Sequence, residues 1–207
     1  MKSISINSVP SWQTGWKVIA KSKWWQFSLI TVGSLSSLFY PHVPLIGFAV
    51  VAGNSLTFKK ALISVISIWL ANQLYGFTVR QYPLTFESLT WGIGMAFATV
   101  LVTVFVALRP KFTTSFWGYL LWLSAGVIGG SFLYEGSIFL VAQLMGGHGL
   151  TTAIFRGIFV KNLLWAVGLS ALHCCAMWLA LQAAPQYFPL SFPFQSGYRP
   201  PGCGKKF

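Results

Sequence analysis

The chain is built from long apolar stretches almost empty of negative charge. Glu87 and Glu135 are its only acidic residues, against 14 Lys and Arg in 207. Charged residues make up 8% and hydrophobic ones 55%, with a mean hydropathy of +0.67. A water-soluble domain carries about 25% charged residues. The pattern therefore predicts an all-α, polytopic membrane bundle of about six transmembrane segments, because a helix satisfies its own backbone groups in lipid.

The net charge of +12 does not point to nucleic acid. The basic residues form short clusters between apolar runs, with no basic helix face and no nucleic-acid-binding motif. Such clusters mark cytoplasmic loops and can rest on anionic headgroups, so membrane lipids are the expected surroundings. Cys174, Cys175 and Cys203 are an odd number, two of them adjacent, and form neither a disulfide framework nor a metal-ligand spacing. No A-x-A-like cleavage site follows the first apolar segment, so the basic beginning reads as a retained cytoplasmic tail.

Three regions are expected. Residues 1–23 are basic and Trp-rich; Trp12 and Trp16, spaced by four, share a helical face and suit a short amphipathic surface helix. Residues 24–183 hold the spans. Residues 184–207 contain five of the ten prolines and should be extended.

Within the membrane region the first block is broken at Pro41-His42-Val43-Pro44, which ends one helix and begins another. Segments 26–40 and 45–53 are thus a broken, short first pair, below the ~20 residues of a full span. Short helices survive in a membrane where protein shields them or where they line a cavity. Spans follow at 61–77, 88–108 and 160–183. The stretch 115–145 is too long for one perpendicular helix; with Gly129-Gly130 in its middle it suggests a kink, a tilt or a second segment.

Six segments with both termini inside put eleven basic residues on the cytoplasmic side and leave Arg80, Arg156 and Lys161 outside. Dividing 115–145 gives ten against four, so the preference is small. The membrane would be a bacterial inner membrane or an intracytoplasmic, thylakoid-type one.

Ionisable groups near the bilayer centre cost ~2.5–3.5 kcal/mol on insertion scales and should face a partner or a cavity. The ligand-binding candidates are His42, Asn72, Gln73, Glu135, Arg156 and Asn162. Each has a plainer alternative: interhelical hydrogen bonding for Asn72 and Gln73, a surface position or a pairing with Arg156 or Lys161 for Glu135, snorkelling for Arg156 and Lys161, a turn for His42 and likewise for His148. His173 lies deep in the last span. It is either a buried hydrogen-bonded residue or an axial ligand to haem or chlorophyll. The sequence itself requires no cofactor, and no metal site is expected. Gly130-Ser131 on one span and His173 on another resemble the serine–histidine pair of intramembrane rhomboid proteases, but Phe132 stands where those enzymes need a small residue.

Tyr40-Pro41-His42-Val43-Pro44, the following Phe48, Ala49, Ala52 and Gly53, the basic turn Lys59-Lys60 and the span ending Asn72-Gln73-Leu74-Tyr75-Gly76-Phe77 resemble an uncharacterised bacterial membrane family. That family is related to the substrate-binding S components of energy-coupling-factor transporters. Ile154-Phe155-Arg156-Gly157 leading to Lys161-Asn162-Leu163-Leu164 is similar as well, and together these segments cover about two thirds of the chain. The resemblance implies six helices around a small-molecule site near the outer face, with early helices contacting a transport partner. The family often carries an acidic residue where Gln73 and Asn162 stand here.

Two functions follow. One is a non-enzymatic binder of a small molecule, using Asn72, Glu135, Arg156 and Asn162, with Trp69, Trp91 and Trp165 as walls. The other is a structural accessory subunit of a photosynthetic or respiratory complex, docked on membrane-protein partner chains through its tails and through small residues such as Gly92, Gly94, Ala96 and Ala98, with pigment or lipid contacts. Intramembrane hydrolysis is the least supported.

Overall fold

A computed structural model describes residues 12–40, 43–146 and 151–187, and they are helical almost throughout. There are seven α-helices among them: α1 (Trp12–Lys21), α2 (Lys23–Phe39), α3 (Leu45–Ser55), α4 (Phe58–Thr78), α5 (Phe86–Ala107), α6 (Phe116–Leu144) and α7 (Thr152–Tyr187). Side-chain caps set several starts. The hydroxyls of Ser22, Thr85 and Ser115 accept the backbone N–H of Trp25, Ser88 and Gly118, each three residues on, which pairs donors that a helix start leaves open.

Four helices are long and apolar enough to cross a membrane: α4, α5, α6 and α7 over Thr152–Ala180. The chain is thus an integral-membrane helical protein by length and composition. At 1.5 Å per residue the 29 residues of α6 reach about 43 Å, more than the ~30 Å hydrocarbon layer. Of the kink, tilt or second segment expected for this stretch, the second segment is not formed: it is one continuous helix, whose length calls for a tilt. Its glycines serve packing: a Cβ on Gly130 would stand 2.9 Å from Val102 of α5, and one on Gly126 3.1 Å from Val106. The last helix starts at Thr152, eight residues before the expected 160, and runs to Tyr187, into the segment expected to be extended.

The organising element is α3. All eleven of its residues are buried, against α4, α5, α6 and α7. A helix that is apolar all round belongs in an interior. Glycines at both ends let neighbouring backbones close in: Cβ atoms on Gly47 and Gly53 would lie 2.9 Å from the Asn162 carbonyl and 3.1 Å from the Thr103 carbonyl. The broken first pair is therefore unequal, since α2 exposes Trp24, Phe27, Leu35 and Phe39 on its outer side while α3 exposes nothing.

The amphipathic helix α1 packs on α7 and the end of α3, and the Trp16 indole N–H donates to the Asn54 carbonyl at 3.2 Å. The Lys60 ammonium reaches the Lys21 carbonyl. The basic turns before α2 and α4 and after α5 thereby share one end of the bundle with α1. The opposite end is formed by the starts of α3, α5 and α7 and the ends of α2, α4 and α6.

Candidate functional site

At that opposite end, a cavity of about 630 Å³ lies between α4, α5, α6 and α7, floored by Val43 and Leu45 at the start of α3. Its walls are chiefly apolar, with Phe77, Trp91, Met95, Tyr134 and Ile158 among them. Ligand pockets of ~300–1,000 Å³ have this make-up, with a few polar groups fixing orientation.

Four of the six expected ligand-binding residues line it: Asn72, Gln73, Glu135 and Asn162. Helical spacing brings the first two there from the last turns of α4. Asn72 is buried yet its amide makes no hydrogen bond to the described residues. The Gln73 amide oxygen sits where a Cβ on Gly92 would be, 2.6 Å away, so glycine at that point of α5 is what admits it. Among the described residues, Glu135 has one buried carboxylate oxygen without a hydrogen-bond partner and forms no ion pair. The expected pairing with Arg156 or Lys161 is not made.

Asn162 differs from the other three. Its side-chain oxygen accepts the Gly47 N–H at 2.9 Å and its amide nitrogen donates to the Ile158 carbonyl at 2.9 Å. It serves chiefly to cap the start of α3. Arg156 is placed elsewhere, in a smaller cavity of about 180 Å³ between α6 and α7 that shares only Glu135 and Phe155 with the first. His42, like His148, lies outside the described residues.

Lys161, which the sequence suggests as a snorkelling residue, also lines the main cavity, its ammonium 5.1 Å from the centroid of the Tyr40 ring. Tyr82, Ser88 and Tyr134 complete the polar lining. They carry no signal in the sequence, because helix rotation decides which side of a span faces inward. Of the expected walls, Trp91 is present. Trp69 instead donates to the Gly92 carbonyl at 2.8 Å, and Trp165 packs on Phe48 and Tyr40.

A second polar group lies towards the basic end. The Tyr119 hydroxyl and His173 Nδ1 are 3.0 Å apart, and the fully buried His173 ring lies 5.3 Å from Trp25 and 5.4 Å from Tyr119. Its other ring nitrogen, Nε2, is buried without a hydrogen-bond partner among the described residues. Ser131 cannot pair with it. His173 meets α6 at Tyr119, twelve residues before Ser131, about 18 Å along the helix.

Arg109 closes this end. Its guanidinium donates to the carbonyls of Gly53 and Leu56 at the end of α3 and stacks 4.8 Å from the Trp16 ring. Burial lowers its pKa to about 10, which leaves it cationic at neutral pH.

No family model, curated protein or solved structure matches this chain.

Proposed function

We propose that this protein binds a small organic molecule in the cavity between α4, α5, α6 and α7, and does no chemistry on it. The observation that carries this reading is polar capacity left unused in a largely apolar cavity. Among the described residues Asn72 and Glu135, which line the cavity, have no hydrogen-bond partner, and one Glu135 oxygen is buried; a buried polar group without a partner costs ~1–3 kcal/mol. A bound molecule would relieve that cost. The site lies at the end away from most of the Lys and Arg. With the basic end cytoplasmic, it opens towards the outer face, as the S-component resemblance implies, and the exposed outer sides of α1 and α2 are left for a transport partner.

Of the small residues that suit an accessory subunit, Ala96 alone stays partly exposed. Gly92 and Gly94 are used inside the chain, against Gln73 and Val141, and Ala98 is fully buried.

Native mass spectrometry of the protein extracted in mild detergent tests the proposal. The expected result is a 22.8 kDa chain carrying a small-molecule mass that is lost in the Asn72→Ala/Glu135→Gln variant. A bare chain in both samples, or release only as part of a larger pigmented assembly, would overturn it.

A further inference from the structure

We infer that the ligand is a lipophilic amine, its cationic nitrogen on Glu135 and its apolar body against Trp91 and its neighbours; this rests on the cavity being a binding site. Glu135 is the only carboxylate in the cavity lining, beside the neutral amides of Gln73 and Asn162. A carboxylate oxygen buried in apolar surroundings calls for a counter-charge. The protein supplies cations on both sides, Lys161 in the main cavity and Arg156 in the outer one, yet neither pairs with it. The Lys161 ammonium is held instead by the face of Tyr40, so the carboxylate is left for a third cation.

An organic cation fits better than a metal ion. No group of three His, Cys, Asp or Glu side chains that could hold a metal forms among the described residues. Aromatic faces are abundant: Trp91, Phe77, Tyr82 and Tyr134 all line the cavity, and such faces attract ammonium groups when water is excluded. The lipophilic part is suggested by the outer cavity, which meets the main one at Glu135 and Phe155 and is bordered by Ile128 and Phe132. Those two side chains are 53% and 75% exposed on the outside of the bundle, where the acyl chains would lie. Glu135 thus stands between the pocket and the lipid.

The test is calorimetric titration of the purified protein in a non-ionic detergent with three probes of one shape: 4-phenylbutylamine, 4-phenylbutanol and 4-phenylbutyrate. The amine is expected to bind at least about tenfold more tightly than the alcohol, the order expected of a charge-assisted contact. Glu135→Gln should abolish that preference. Lys161→Gln, which removes a competing cation, should keep or strengthen it, and this second variant guards against misfolding of the first. The inference is overturned by equal binding of amine and alcohol, by a preference for the butyrate, by an amine preference that persists in Glu135→Gln, or by no binding of any probe. Failure of the cavity reading is scored separately, by the retained mass in the native spectrum.

Discussion

The side-chain oxygen of Asn162 accepts the backbone N–H of Gly47 at 2.9 Å, across 115 residues of sequence. This contact closes the start of α3, and the bonds from Arg109 to Gly53 and Leu56 close its end. An eleven-residue helix buried in a membrane bundle has open N–H groups at one end and open carbonyls at the other, with no water to take them. The fold resolves this with one side chain from α7 and one from the turn after α5. Since the same α3 start floors the cavity, the integrity of the site depends on both.

Replacing Asn162 with Leu should therefore destabilise the protein by ~1–3 kcal/mol, since Gly47 is left with an unpaired buried donor. Asn162→Asp keeps the acceptor and adds negative charge at a helix start, where the macrodipole favours it. We expect Asp to retain most of the stability that Leu loses. Thermal unfolding in detergent reads both; equal losses would show that the Gly47 contact contributes little.

At the other end, Arg109→Lys should behave as a damaging change. A lysine cannot present the guanidinium fork that serves two carbonyls while stacking on an indole. A loss of ~1.5–3 kcal/mol is expected from hydrogen bonds made by a charged donor. Trp16→Ala should cost about 1 kcal/mol through the cation–π contact. The two losses should be less than additive in a double-mutant cycle, because α1 docks through the same pair.

The glycines divide into two classes that substitution separates. Gly130→Val should cost at least ~1–3 kcal/mol by overpacking, because even a Cβ there meets Val102 at 2.9 Å. Gly168→Ala, with nothing within 4 Å of the added carbon, should stabilise by roughly 0.5–1 kcal/mol through helix propensity. Denaturation midpoints of the two variants must shift in opposite directions.

His173 and Tyr119 should be energetically coupled. Tyr119→Phe removes the hydroxyl that meets the imidazole at 3.0 Å, with an expected cost of ~1–2 kcal/mol, and His173→Phe after it should cost less than in the native background. The purified protein should show no haem or chlorophyll absorbance. A Soret or Qy band lost on His173→Phe would show an axial ligand at that residue instead.

Orientation is read by labelling. Single cysteines at Lys59 and Gln81, in a background without Cys174, Cys175 and Cys203, should react with a membrane-impermeant maleimide from opposite faces. Lys59 should be labelled only after the cytoplasmic side is opened. The reverse result would place the cavity towards the cytoplasm.

The sequence by itself determined the class of protein and the break between α2 and α3, because hydropathy and proline act locally; that 115–145 is one span was left to the fold. It also brought Asn72, Gln73 and Glu135 forward, since a polar residue within an apolar span needs a reason to be there. What it could not separate was a ligand contact from a backbone cap: Asn162 lies in the same cavity wall as Asn72, and only the approach of Gly47 assigns its amide to α3. The glycine pair in α6 shows the same limit, since it suggests a kink until Val102 is found where a side chain would go. Helix rotation and interhelical distance arise from packing among residues far apart in the chain. These decided that α3 is enclosed, that Lys161 turns inward beside Tyr40, and that Arg156 stays in a separate recess.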